Sequence, residues 1–374
     1  MRVGINLLFL LPGVVGGTET YAAGLLHGLA QTGGKHSYVV FMNDESAQWP
    51  TPPGPNFTRV ACSLKATSRS RRYFFEQLSL PRILKKHEID VVHSLGYVGP
   101  LWTPCPAVVT VPDLNYLFVG NSMSFVKRHL LRFFSTHAAK RAKAVITISN
   151  NSKSAICNRL KIHPEKVVVT LLGPRWKDIF VSQDVMSKVK AIYNISGSYL
   201  VAFGGGSVHK NIPRLIQAVA ELKKELPRTL VLIGHLPSNV NLRELLGDII
   251  ATGYVPAEHI LPLLSGAEVF VLPSLYEGFG LPVLEAQQVG VPVVCSTAGS
   301  LPEVAGEAAV FFDPYSVKDL ADKIAQVARD PTLQAELRKK GQTNVQRYSW
   351  ERTARETLAV YEKAVRSRGC DKNG

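Results

Sequence analysis

Two carboxylates eight residues apart, Glu277 and Glu285, bracket a turn that reads Gly278-Phe279-Gly280-Leu281-Pro282. The apolar run Val269–Leu272 ahead of it has the character of a buried strand, and Pro273 ends it. Glycines at alternate positions suit a backbone that must pass close to a bound group. Pro282 stands where a first helical residue would, with a helix-like Val283–Gln288 behind it. The N–H groups of Gly280 to Val283 would then point out of a helix N-terminus, a place that suits phosphate or sugar oxygens. Glu285 could equally do no more than complement the dipole of that helix.

Two further glycine-rich turns carry similar chemistry. Gly204-Gly205-Gly206 precedes Lys210 and a helix from Pro213, a backbone nest plus a point charge suited to a diphosphate. With no G-K-[ST] it is not a Walker A loop. Gly16-Gly17 lies between the strand Val3–Leu11 and a helix for which Thr18 is the expected cap. The absence of G-x-G-x-x-G there counts against a dinucleotide oxidoreductase. His93 ends the short strand Ile89–Ser94, and Asp113 follows the strand Ala107–Val111. Both fall at the edge where open parallel sheets place ligands, although His93 reads equally well as a structural residue.

The stretch Ser274–Glu285, with its Pro-Ser before the first acid and its Pro after the second glycine, resembles the E-x7-E signature of glycosyltransferase family four. These are retaining nucleotide-sugar enzymes of the GT-B fold. The resemblance implies that Glu277 lies against the donor sugar and that Glu285 holds the nucleotide ribose. The backbone of Gly278, Phe279, Gly280 and Leu281 would contact sugar and phosphate, Gly16 and Gly17 the donor phosphates, and Lys210 the diphosphate. Val255, in Gly253-Tyr254-Val255, would fall in the segment that contacts the base. Two departures stand out: Pro112 occupies the place where the family commonly has His before Asp113, and no Arg stands near Gly205 or Gly206. The resemblance covers almost the whole chain and is strongest from Leu200 to Pro314.

The elements that must position these residues read as α/β throughout. A chain of 374 residues holds two to three domains, each with its own core. The expected fold is GT-B: two doubly wound Rossmann-like domains facing a central cleft, with a C-terminal helix crossing back to the first. The expected division is 1–178, 179–349 and 350–374, with a linker near Trp176–Asp184. Helices are predicted over Arg69–Lys86, kinked or ended by Pro81, over Ser122–Ala142, over Leu242–Leu246 and over Trp350–Arg366.

Charge is distributed unevenly. The net charge is +14, and the residues through Lys177 carry 22 Lys and Arg against 8 Asp and Glu, so the whole excess lies in the first half. No nucleic-acid module accompanies it, which argues against nucleic acid as a partner. The basic and aromatic segments around Arg69–Lys86 and Lys127–Lys143 instead suit an anionic membrane surface, or simply a solvated face over a packed core. Arg2 and the run Ile5–Leu11 imitate a signal peptide, but the apolar stretch is short and reads better as a first buried strand. Five scattered cysteines without C-x-x-C imply a reducing cytosol and no structural zinc or disulfide framework.

By resemblance, the expected reaction moves a sugar from a nucleoside diphosphate sugar to a lipid-linked or polysaccharide acceptor, with retention and mannose first among candidates. No cofactor is expected, and no metal, since no D-x-D pair is present to hold one. The expected location is cytoplasmic, with a peripheral hold on the inner membrane face. A GT-B sugar-nucleotide epimerase or hydrolase, a glycogen-type phosphorylase and a non-catalytic sugar-nucleotide or polyanion binder are the rival readings.

Overall fold

The computed structural model describes residues 1–118, 125–176, 180–236 and 249–370. The helix expected over Leu242–Leu246, the start of the one expected at Ser122 and residues 177–179 of the expected linker lie outside the described residues.

The chain forms two compact units. The first contains Met1–Leu117, Met123–Gly173 and the chain from Tyr348 onward; Pro174–Arg347 makes up the body of the second. Each unit is built on a parallel sheet. In the first, β1 (Arg2–Asn6), β2 (Ser37–Met42), β3 (Phe57–Ala61), β4 (Val91–Ser94), β5 (Ala107–Thr110), β6 (Ala144–Thr147) and β7 (Val167–Val169) lie in the order β3-β2-β1-β4-β5-β6-β7. The order reverses between β1 and β4, where Ile5 pairs with His93 and Asn6 with Ser94. In the second unit, β8 (Tyr199–Phe203), β9 (Thr229–Ile233), β10 (Ile249–Ala251), β11 (Val269–Leu272), β12 (Val293–Ser296) and β13 (Val310–Phe312) lie in the order β10-β9-β8-β11-β12-β13, reversing between β8 and β11.

The strand sequences explain the layers. A strand buried on both faces has no need of polar alternation, and Val269-Phe270-Val271-Leu272 is buried at every position. Its side chains still alternate: Val269 and Val271 join one core cluster with Leu200, Ile216 and Ile324, whereas Phe270 and Leu272 join the other with Tyr199, Val283 and Val293. Helices cover both faces of this sheet.

The final helix, Trp350–Cys370, belongs to the first unit and packs along the helix Gly17–Thr32. Its seat is cut from glycine: a Cβ at Gly24 would overlap the Trp350 ring, and one at Gly28 or Gly173 would collide with the Trp350 backbone. Thr353 Oγ1 donates to the Leu171 carbonyl at 2.5 Å and fixes the start of the helix.

Local expectations fared unevenly. Arg69–Lys86 is two helices, Arg69–Leu78 and Leu80–Lys86, and Pro81 sits in the first turn of the second, where its missing N–H leaves no helical bond unmade. Thr18 does not cap its helix; the chain turns at Gly16 (φ 55°), and the helix begins at Gly17. The helix Asn150–Leu160 is capped by Ser149, whose Oγ accepts from Ser152 N at 3.0 Å.

Candidate active site

The second unit gathers its candidate residues at the C-terminal ends of β8 and β11, on either side of the sheet's reversal. After β8 the backbone at Gly204 runs so near the His235 carbonyl that a Cβ would stand 2.8 Å from it. Gly205 adopts φ 142°, and nothing lies within 4 Å of a Cβ placed at Gly205 or Gly206. The turn ends at Lys210 and then Asn211, whose left-handed backbone (φ 58°) caps the helix Ile212–Leu222. The Asn211 amide donates to the Pro273 and Pro314 carbonyls, each at 2.9 Å, and Leu275 N donates to the His209 carbonyl at 2.7 Å. These bonds bring the loop after β8 against the loop after β11.

The join sets Lys210 Nζ 3.0 Å from Glu277 Oε1, and Ser274 Oγ donates to the same oxygen at 2.8 Å. Burial pushes the Glu277 carboxyl up, but the Lys210 ammonium, the Ser274 hydroxyl and His209 outweigh it and hold the group below the usual carboxylate range. Glu277 is therefore an ionised acid fixed by a cation. Its backbone is equally fixed: Ser300 Oγ donates to the Glu277 carbonyl at 3.0 Å and to the Phe279 carbonyl at 2.7 Å. Gly299, at φ 62°, packs against Glu277 where any side chain would collide.

Gly280, at φ 114°, caps the helix Leu281–Gln288, and Pro282 lies in its first turn. The expected row of outward amides is shorter than its sequence suggests. Val283 N donates to the Gly280 carbonyl at 2.9 Å, and Pro282 has no N–H, so Gly280 and Leu281 carry the outward amides.

Glu285 sits on the second turn of this helix at 1% exposure. Its Oε1 lies 3.4 Å from Arg175 Nε yet makes no hydrogen bond. Burial raises its pKa, with Arg175 and then Lys210 pulling the other way and losing. The two acids of the motif thus differ in kind, one held ionised and the other pushed toward its neutral form. Val255 is half-buried and packs against the unit's core, beside the exposed Tyr254.

In the first unit, Gly16 and Gly17 open the helix Gly17–Thr32, and a Cβ at either would meet nothing within 4 Å. Glu19 braces the loop, accepting from Gly13 N at 2.8 Å and from Trp49 Nε1 at 2.9 Å. Asp113 is half-buried; its Oδ1 accepts from the Tyr97 hydroxyl at 2.8 Å and from Asn115 N at 2.9 Å. His93, which reads from sequence equally as a residue of the ligand edge and as a structural one, has both ring nitrogens engaged. The side chain is fully buried, Nδ1 meets the Tyr361 hydroxyl at 2.6 Å, and Nε2 meets Thr110 Oγ1 at 2.7 Å. Burial pushes its pKa down to about 3, so the ring is neutral and spends both nitrogens on packing.

Sequence reasoning missed Ser274, Asn211, Ser300, Gly299 and Arg175. Asn after Lys210 was a legible signal, because Asn tolerates the left-handed region. Arg175 left no local trace. Among the described residues no group of three or more His, Cys, Asp or Glu could hold a metal, and Cys62, Cys105, Cys157 and Cys295 form no disulfide.

Residues 189–344 match the family described as glycosyl transferases group 1, and residues 15–173 the family described as Glycosyltransferase Family 4. O-antigen chain mannosyltransferase B of Escherichia coli is 34% identical over 231 residues, 59% of this chain and 61% of that protein. MMP alpha-(1->4)-mannosyltransferase of Mycolicibacterium hassiacum is 33% identical over 241 residues, 61% of this chain and 56% of that protein. The chain therefore aligns with less than two thirds of either relative. Sucrose-phosphate synthase of Thermosynechococcus elongatus shares the fold at a TM-score of 0.77 and 18% identity, over 98% of this chain and 100% of that one. Two parallel-sheet units with glycine turns at their strand ends, an E-x7-E helix terminus and both family matches place this chain among the family 4 (group 1) glycosyltransferases of the GT-B fold.

Proposed function

We propose that the protein transfers a sugar, mannose first, from a nucleoside diphosphate sugar to a lipid-linked or polysaccharide acceptor with retention at the anomeric carbon. The observation that carries this reading is the Lys210–Glu277 pair at 3.0 Å beside the Gly280–Leu281 helix terminus. As the glycosidic bond to phosphate breaks, negative charge grows on the diphosphate and positive charge on the sugar ring. Lys210 and the Gly280 and Leu281 amides stabilise the first by fixed charge and dipole. Glu277, held ionised, accepts a hydrogen bond from a sugar hydroxyl and orients the ring. The acceptor oxygen attacks the face the diphosphate leaves, and the departing phosphate oxygen takes its proton. Mannose is favoured by the two mannosyltransferases that share about a third of their aligned residues with this chain.

The test incubates the protein with GDP-mannose, UDP-glucose and an undecaprenyl-diphosphate-linked glycan. Turnover that needs acceptor and yields the retained anomer by NMR is the expected result. The fixed charges stand in for a divalent ion, so EDTA should leave the rate within about twofold. Donor consumption without acceptor, or nucleotide binding without any turnover, overturns the transferase reading.

The first unit offers the means of reaching a lipid-linked acceptor. The helices Arg69–Leu78 and Phe125–Arg141 meet through Tyr73 and Phe134, whose ring centroids lie 4.7 Å apart. Phe74 is 69% exposed, Leu78 60% and Phe133 50%. Arg69 and Arg71 on the first helix, Arg132, Lys140 and Arg141 on the second, and Arg82 on Leu80–Lys86 are exposed, while the one acid of the first helix, Glu76, is buried. Apolar side chains set among cations suit an anionic bilayer surface. No helix among the described residues is long and apolar enough to cross a membrane.

A further inference from the structure

Glu285 and Arg175 form an asymmetric pair: the acid is 1% exposed and the base 40%. The pair has one foot in the motif helix and the other in the segment by which the chain enters the second unit. That segment is fastened independently, because Gln288 Nε2 donates to the Trp176 carbonyl at 2.7 Å. Glu285 and Gln288 are three apart on one face of Leu281–Gln288 and hold consecutive residues of it. The Arg175 guanidinium lies 4.9 Å from the centre of the Trp176 ring. At 3.4 Å from Oε1 it gives charge without a hydrogen bond, and Oε1 is a buried acceptor with nothing donated to it.

A buried acceptor left open calls for a hydrogen-bond donor that arrives from outside. A carboxylate can accept two vicinal hydroxyls, whereas a protonated carboxyl is a poorer acceptor that spends one oxygen as a donor. We propose that Arg175 is a positioning residue of the nucleotide site: its guanidinium, 3.4 Å from the buried Oε1 of Glu285, holds that open acceptor ready for the vicinal diol of a ribose. The inference rests on the reading of Glu285 as the ribose ligand and adds what makes that residue competent. Burial works against the charged form, and Arg175 is the first group opposing it, ahead of Lys210. The helices packed against Leu281–Gln288, Ala257–Ser265, Leu301–Ala305 and Pro331–Val345, carry Glu258, His259, Glu303 and Glu336 among their acids and bases. The Glu285 carboxylate is present above its pKa and lost below it, so removing Arg175 moves that loss to higher pH.

The experiment measures Kd by calorimetry for GDP or UDP, whichever the wild type binds, between pH 6 and pH 9. The Arg175→Met protein should bind about tenfold more weakly than wild type at pH 6 and within about twofold at pH 9. The 2′,3′-dideoxy nucleotide should show no such divergence. Arg175→Lys should keep the wild-type profile and, should Arg175→Met fail to fold, carries the test against Glu285→Gln. In a Glu285→Gln background Arg175→Met should add less than about twofold. A loss equal at every pH, or equal for the dideoxy nucleotide, makes Arg175 a structural clamp and overturns the inference alone. A wild type that binds neither nucleotide overturns the site reading, and this inference with it.

Discussion

Lys210 and Glu277 neutralise one another at 3.0 Å, and the proposed chemistry uses that balance twice. The ammonium keeps the acid ionised, and when a diphosphate arrives the same ammonium is shared with it. The two substitutions should therefore fail differently. Lys210→Ala removes a preorganised charge from the leaving group and should lower kcat roughly a hundredfold or more. Glu277→Ala frees the ammonium but leaves the sugar unoriented; kcat should fall by a similar order while nucleoside diphosphate affinity holds or tightens. Initial-rate kinetics and calorimetry separate the two, and full turnover by both variants removes the assignments. The pair was partly legible. Glu277 was marked by its neighbours at fixed spacing, and Lys210 by the glycines before it. Their direct contact was not, because it depends on the Asn211 amide bridging loops from different strand ends.

At the scale of elements, a helix can serve two masters. Arg69–Leu78 turns Glu76 inward, where Oε1 accepts from the Asn6 amide at 3.4 Å and burial pushes the acid up to about 7. The opposite face presents Phe74 and Leu78 to solvent. Burying each of these in a bilayer interface is worth about 1.5–3 kcal/mol at most, against about 1 kcal/mol for each basic residue near anionic lipid. Neither contribution suffices alone, so binding should need both. Phe74→Ser with Leu78→Ser should cut binding to phosphatidylglycerol vesicles by about tenfold or more in sedimentation, without changing turnover of a soluble acceptor analogue. Added salt should weaken the wild type. Equal binding to neutral vesicles, or no loss in the double variant, removes the membrane reading. The basic and aromatic pattern was readable in the sequence; which of its aromatics face outward was not, since Phe74 and Phe75 are adjacent and only packing tells them apart.

At the scale of the molecule, the first unit is closed by the last helix of the chain. Gly24→Ala would gain about 1 kcal/mol of helix propensity, yet its methyl group meets the buried Trp350 ring. Overpacking of that kind costs about 1–3 kcal/mol, so the clash should win and the melting temperature should fall by several degrees in calorimetry. Trp350→Ala should also destabilise, by cavity instead of clash. A Gly24→Ala protein at least as stable as wild type would mean that the helix is not seated on Gly24.

The sequence by itself determined the α/β class, the glycine turns after β8 and β11, and the placing of Glu277 and Glu285 in the loop and in the helix that follows it. All of these depend on residues within a few positions of one another, whose periodicity and turn chemistry act locally. Tertiary structure alone decided that His93 is spent on Tyr361 and Thr110, that the open oxygen of Glu285 faces Arg175, and that Gly24 and Gly28 are the seat of Trp350. Each joins residues far apart in the chain, and burial, charge and excluded volume act through space with no signature in the order of residues.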